Sequence, residues 1–182
     1  MSEVRHAVLQ FRPEKSRLRE SLARLRAHLE ALRPHAPQVV VLPEAALTGY
    51  FLEGGVQELA LPAERLFEDL GRVHRESGAP PLDVAIGFYE LWRNHLHNSA
   101  LYASLGGADA GIRHVHRKVF LPTYGVFDEE RYLARGRRVE AFRTRFGRAA
   151  LLICEDFWHS ITATIAALDG AEVIYVPSAS PA

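Results

Sequence analysis

A single cysteine, Cys154, stands in the 182 residues, so no disulfide can form within the chain and the fold must come from a hydrophobic core. That usage fits a reducing compartment, and a cytoplasmic location is expected. No apolar run approaches the roughly eighteen residues of a spanning helix. The opening MSEVRHAVLQF carries no signal-peptide pattern. Excess charge of one sign is missing too: twenty-two basic residues balance twenty-two acidic ones. Net charge therefore gives no reason to expect nucleic acid or a membrane as partner. No glycine-rich phosphate loop follows a strand, so nucleotide binding lacks support. His95 with His97, and His114 with His116, each place two imidazoles on one strand face, but no third ligand accompanies them and no metal is expected. The last scarcity is lysine, with Lys15 and Lys118 set against twenty arginines.

What is present suits one soluble domain over 1–182, with 48 % hydrophobic and 24 % charged residues and enough chain for a real core. VRHAVLQF (4–11) reads as a first strand. Over 14–33, Leu18, Leu22, Leu25, Leu29 and Leu32 recur at alternating spacings of four and three, the apolar stripe of an amphipathic helix that ends near Pro34. QVVVLPE (38–44) is a continuous apolar run stopped by Pro43, as expected of a strand buried on both faces. A helix over 63–77 follows, with Leu66, Leu70 and Val73 on one side, then a strand DVAIGFYE (83–90). HNSALYAS (97–104) and GIRHVHRKVF (111–120) flank a Gly-Gly turn and read as a hairpin. Strands near 139–145 and 148–154 join at Gly147. A helix over 158–169 and a strand over 171–178 close the chain. This order predicts an α/β fold, a mixed sheet with helices packed outside. The sequence stops at PSASPA directly after a buried strand, where a sheet edge would be open. A fold incomplete at its C-terminus, with no second domain, is therefore expected.

Three reactive groups sit at the ends of these runs, where sites in α/β sheets gather. Glu44 closes VVVLPE. A solvated loop carboxylate is the plain reading, but Pro43 fixes the backbone before it and small apolar residues follow. A carboxylate held there is partly desolvated and suited to general-base work. Lys118 falls in the hairpin's second strand. It could be an edge-strand charge, yet this chain writes arginine for that purpose elsewhere. A compact ammonium can approach a developing oxyanion as a point charge where a guanidinium fork cannot. Cys154 lies after a buried strand and before a helix. It reads either as a core residue or as a nucleophile, pushed towards thiolate by the helix start and a nearby lysine. Glu155 and Asp156 fit the helix's first turn.

Glutamate, lysine and cysteine in this order resemble the nitrilase superfamily of carbon–nitrogen hydrolases. The likeness rests on LPEAALTGY, RKVFLPTYGVFDEERY and ICEDFW, and extends over essentially the whole chain. It implies an α-β-β-α sandwich, usually paired into eight layers, and hence a homodimer or larger homo-oligomer. It makes Glu44 the general base, Lys118 the oxyanion stabiliser and Cys154 the nucleophile, with Glu129 supporting the lysine and positioning substrate. LPTYGVFDEERY, CEDFW and the closing SASP look most like glutaminase domains of glutamine-dependent NAD synthetases. That likeness implies a pocket lined by Tyr124, Phe127, Glu155 and Trp158, with Ser178 or Ser180 beside them.

The expected reaction is hydrolysis of a small carboxamide through a cysteine thioester, with no cofactor, glutamine as the suggested substrate and a synthetase partner as a receiver of the ammonia. A stand-alone aliphatic amidase or N-carbamoyl amide hydrolase is the alternative enzyme. A catalytically weak binding or assembly module is the alternative of another class.

Overall fold

The computed structural model of the chain describes residues 3–50, 55–125 and 127–179. The first sheet has five strands in chain order: β1 (His6–Val8), β2 (Val39–Val41), β3 (Leu82–Trp92), β4 (His95–Leu105) and β5 (Gly111–Arg117). β1, β2 and β3 run parallel, and β4 and β5 continue antiparallel. The parallel pairs need crossovers. These are α1 (Leu18–Leu32) between β1 and β2, and the short α2 (Val56–Leu59) with α3 (Ala63–Ser77) between β2 and β3. The second sheet is β6 (Ala141–Thr144), β7 (Gly147–Leu151) and β8 (Val173–Tyr175), with β7 antiparallel to β6 and parallel to β8. α4 (Glu155–Trp158) and α5 (Ser160–Leu168) make the β7–β8 crossover.

Alternation along the strands sets the layers, because successive side chains point to opposite faces. Val40, Val84, Ile86, Leu101 and Ala103 meet the helices, packing with Leu22, Leu25 and Leu29 of α1 and Leu66, Leu70 and Val73 of α3. Val39, Ala85, Ala100 and Tyr102 face the second sheet and pack against Phe142, Ala149, Leu151, Ile153 and Tyr175. The run Val39–Val41 is apolar throughout because both of its faces are covered. With its inner face occupied in this way, the second sheet takes the α4–α5 crossover on its outer face. Ala166 is buried there, while Ile161, Ile165 and Leu168 stay exposed. The result is the sandwich of helices and two sheets that the resemblance implies. No helix among the described residues is long and apolar enough to cross a membrane.

Several expected bounds shift. β1 covers only His6–Val8 of the expected 4–11, and α1 starts at Leu18, after a turn in which Ser16 has φ 58°. β3 and β4 run on past the expected ends into a tight hairpin whose two tip residues, Arg93 and Asn94, have φ 48° and 63°. That two-residue turn normally advertises itself with Asn-Gly or Asp-Gly, and Arg-Asn does not. β5 ends at Arg117, so Lys118 lies just beyond the strand rather than in it. The expected helix over 158–169 is found as α5, and a separate short helix, α4, precedes it and ends at Trp158, with His159 extended between them. The outer strands of the second sheet are also shorter than expected.

Leu101 sits fully buried in β4, between β3 and β5, on the helix side. Leu101→Ala should lower unfolding stability by about 2–5 kcal/mol, read as a lower urea midpoint at unchanged slope.

Candidate active site

Glu44 is placed by backbone rather than by its own side chain. After β2 the chain keeps pairing with β3, through Leu42 N–H to the Ala85 carbonyl at 2.8 Å and Ala46 N–H to the Gly87 carbonyl at 3.0 Å. Gly87 returns its own N–H to the Pro43 carbonyl at 3.0 Å. A Cβ on Gly87 would stand 2.5 Å from the Glu44 Cα, so only glycine lets the two segments meet. The Glu44 carboxylate is thereby carried into the interior, 2 % exposed.

Lys118 meets it there. Its N–H extends the β4–β5 ladder by one bond, to the Asn98 carbonyl at 2.8 Å, and the side chain is 1 % exposed. Its Nζ donates to Glu44 Oε1 at 2.7 Å and to Glu129 Oε1 at 3.1 Å. Glu129, in a short 3₁₀ turn (Glu129–Arg131), is tied to its surroundings by the Pro122 carbonyl, which accepts its N–H. Asn98 Nδ2 bridges both carboxylates, at 2.7 Å to Glu44 and 3.0 Å to Glu129. The Tyr50 hydroxyl donates to Glu129 at 2.5 Å. Burial alone would pull the lysine down, but Glu44 and Glu129 together outweigh it and raise it above the ordinary lysine range. Burial, then repulsion from Glu44, raises Glu129 against the opposing pull of Lys118. Tyr50 is pushed far up by burial and by Glu129, so it remains a donor.

Cys154 enters from the second sheet. Past β7 and β8 the two strands keep pairing, through Leu152 N–H to the Tyr175 carbonyl and Cys154 N–H to the Pro177 carbonyl, both at 3.1 Å. The same alignment brings Ala179 N–H to Glu44 Oε2 at 3.1 Å. Cys154 itself has φ 43° and ψ −100°, a conformation that L-residues avoid and that marks a sharp strand-to-helix elbow. The Glu44 carboxylate, the Lys118 ammonium and the Ala179 N–H all act on the protonation of the thiol.

One residue locks the elbow to the lysine segment. Asp156, fully buried, accepts Val119 N–H and Phe120 N–H on one oxygen, each at 2.9 Å, and Ile153 N–H and His116 Nε2 on the other. It therefore holds the two residues after Lys118 against the residue before Cys154. Its place two residues after Cys154 suggests only a first-turn helix charge, so this function was invisible in the sequence, as were the bridging Asn98 and Tyr50. Gly87 did leave a trace, since a lone glycine in an apolar strand often marks close backbone approach.

The thiol differs from expectation. Burial first, then the negative charge of Glu44, pushes Cys154 up to about 11, and Lys118 only partly opposes this. At neutral pH the group is a thiol, and Glu44 is the base within its reach.

The expected pocket residues divide. The Tyr124 hydroxyl donates to Glu155 Oε2 at 2.7 Å, and Phe127 lies edge-on to Tyr124 and near Tyr50, with ring centroids 5.8 and 6.1 Å apart. Those four residues form one wall beside Glu129. Trp158 ends α4 with 82 % of its surface exposed, away from the hydrogen-bonded cluster. Ser178 turns its hydroxyl to the Val176 carbonyl at 3.3 Å, and Ser180 lies outside the described residues. Of the paired histidines, His116 serves Asp156, His114 stacks on Phe142 at 4.7 Å, and His97 donates to the Ala134 carbonyl.

The chain belongs to the carbon–nitrogen hydrolase family, whose profile matches residues 5–182. It is 33 % identical over 187 residues to a glutamine-dependent NAD(+) synthetase of Xylella fastidiosa, an alignment that takes in all of this chain and 33 % of that one. The chain thus spans about a third of the length of that relative. Its fold is shared with a glutamine-dependent NAD+ synthetase from Acinetobacter baumannii, at a TM-score of 0.79 and 23 % identity over 98 % of this chain and 33 % of that one. It is also shared with an amidase from Nesterenkonia sp. AN1, at a TM-score of 0.81 and 17 % identity over 98 % of this chain and 66 % of that one.

A raised thiol forms thiolate only as the pH nears its own value. Alkylation of Cys154 by iodoacetamide should accordingly keep accelerating up to a pH near 11, in protein shown folded by circular dichroism. Removing the carboxylate with Glu44→Gln should move the inflection down, and removing the ammonium with Lys118→Met should move it up. An inflection near the free-thiol value in wild type would contradict the electrostatics described.

Proposed function

We propose that this chain hydrolyses a small carboxamide to its acid and ammonia through a Cys154 thioester, with glutamine as the preferred amide. The observation that carries the reading is the buried Lys118 ammonium between Glu44 and Glu129, with the Cys154 thiol against the same Glu44 carboxylate. A neutral thiol beside a carboxylate suits a base-assisted attack. Glu44 takes the Sγ proton as sulfur bonds to the carbonyl carbon. The oxyanion is stabilised by Lys118 Nζ and by the N–H of Glu155, the first residue of α4, which has no acceptor within the helix. Collapse of the tetrahedral species breaks the C–N bond, and Glu44 returns the proton to the departing ammonia. Water then gives a proton to Glu44 as its oxygen attacks the thioester, and the acid leaves with the thiol restored.

Glutamine is supported by the 33 % identity to a glutamine-dependent synthetase, and the Tyr124–Glu155 wall offers polar groups for its α-amino and carboxylate end. Ammonia released here would go to a synthetase partner. A lysine rather than an arginine follows from the fit: at 1 % exposure the slot holds a point charge, and a planar fork would displace a carboxylate.

Incubation with glutamine and an amide panel, with ammonia release and intact mass as readouts, tests the proposal. Turnover of glutamine well above other amides, lost in Cys154→Ala, is expected. Lys118→Arg should lower kcat by about 10²–10³-fold while the protein stays folded. Equal turnover of simple aliphatic or N-carbamoyl amides would replace glutamine with a broader amidase reading, and no ammonia release together with no acyl adduct across the panel would remove the hydrolase reading itself.

A further inference from the structure

A cleft of about 570 Å³ opens near the catalytic cluster, yet none of Glu44, Lys118, Glu129 and Cys154 lines it. Its walls carry Arg93, Arg117, Arg135, Arg137 and Arg138, with Glu140 as the sole carboxylate among the lining residues. Three of these arginines are neutralised nearby. Arg117 is held by both oxygens of Glu90 at 2.7 Å, Arg135 pairs with Glu130, and Arg138 reaches Glu140 at 3.4 Å. Among the described residues Arg93 and Arg137 have no carboxylate partner, so their charge is unopposed. Arg93 sits at the β3–β4 turn with φ 48°, a place that favours glycine or asparagine, and its guanidinium lies 4.5 Å from the Trp92 ring.

The floor is built rather than incidental. Ala134 N–H bonds the Leu96 carbonyl at 2.8 Å and Gly136 N–H the Lys118 carbonyl at 2.7 Å. A Cβ on Gly136 would fall 1.9 Å from the Arg117 carbonyl oxygen, so glycine is what seats this loop against β5. In the same wall His97 is 4 % exposed. Its Nδ1–H donates to the Ala134 carbonyl at 2.7 Å, and its Nε2 is buried with no partner. Burial lowers this imidazole below its ordinary value, so the ring is neutral and Nε2 is an acceptor waiting for a donor.

We infer that the cleft binds a small phosphate-bearing molecule, held by Arg93 and Arg137, with His97 Nε2 accepting a hydrogen bond from a protonated phosphate oxygen. Phosphate brings both the negative charge that unopposed arginines recognise and, near neutral pH, a P–OH donor. Sulfate brings charge without the proton. The volume is that of a small-molecule site. This inference is independent of the amidase reading, because no group of the proposed mechanism enters it.

The test is calorimetric titration of the chain with pyrophosphate, with sulfate as the control anion. Saturable one-site binding of pyrophosphate, stronger than that of sulfate, is expected. Arg93→Gln/Arg137→Gln should weaken it by about tenfold or more, and His97→Phe should reduce the preference over sulfate. Arg19→Gln, on the exposed face of α1, should change nothing. Unchanged binding by the double variant, an equal loss with Arg19→Gln, sulfate binding as tightly as pyrophosphate, or no saturable binding up to millimolar concentration would each overturn the site. ADP binding more tightly than pyrophosphate would assign a nucleotide, and equal binding would assign the bare phosphate groups; both keep it.

Discussion

A lysine ammonium buried between two carboxylates is the constraint that the rest of the structure serves. Taking such charges out of water costs several kcal/mol per ion, and only close pairing with further hydrogen bonds offsets it. Glu44 has both oxygens engaged, one with Lys118 and Asn98, the other with the Ala179 N–H. Glu129 is reached by Lys118, Asn98 and Tyr50 on a single oxygen. Its other oxygen is buried without a partner, so the offset is incomplete at Glu129. Lys118 and Glu44 lie 74 positions apart in sequence, so the pair exists only when β2 and β5 are docked in one sheet.

The nucleophile comes from the other sheet, and its approach is controlled by the same economy. Asp156 is a fully buried carboxylate satisfied by three backbone N–H groups and an imidazole. A buried carboxylate lacking those donors would be costly, so the elbow before α4 and the segment after Lys118 must close on it together. Cys154 then has no freedom to relax its left-handed backbone. Burial first, and then the negative charge of Glu44, keeps the thiol protonated.

Legibility in the sequence followed the physics of each feature. The α1 and α3 stripes were readable because Leu22, Leu25, Leu29, Leu66, Leu70 and Val73 answer one large apolar surface. The run around Val39–Val41 was readable because two covered faces leave no polar position. Glu44, Lys118 and Cys154 stood out at run ends, and the resemblance to a hydrolase family assembled them. Asn98 and Asp156 were not readable, because their value lies in partners brought from 31 to 54 and from 36 to 40 positions away. The thiol's protonation was misread for a related reason. The sequence placed a lysine and a helix start near the cysteine, but not the depth of burial or the Glu44 charge, which together outweigh the lysine.

Arg117 and Lys118 show why two adjacent cations are not interchangeable here. Neighbouring residues at a strand end project to opposite sides. Arg117 projects towards Glu90 and Trp92, where a planar guanidinium makes two parallel bonds at 2.7 Å and stacks 3.7 Å over the indole. Lys118 projects into the interior, where Nζ must meet Glu44 and Glu129 from one point. The bidentate, stacked position rewards a fork, and the buried one rewards a small sphere of charge. In a chain with twenty arginines and two lysines, one of the lysines stands at the position where geometry excludes the fork. One peptide unit thus separates the groove of guanidinium groups from the buried cluster of Lys118, Glu44 and Glu129, and the Gly136 bond to the Lys118 carbonyl fixes the boundary between them.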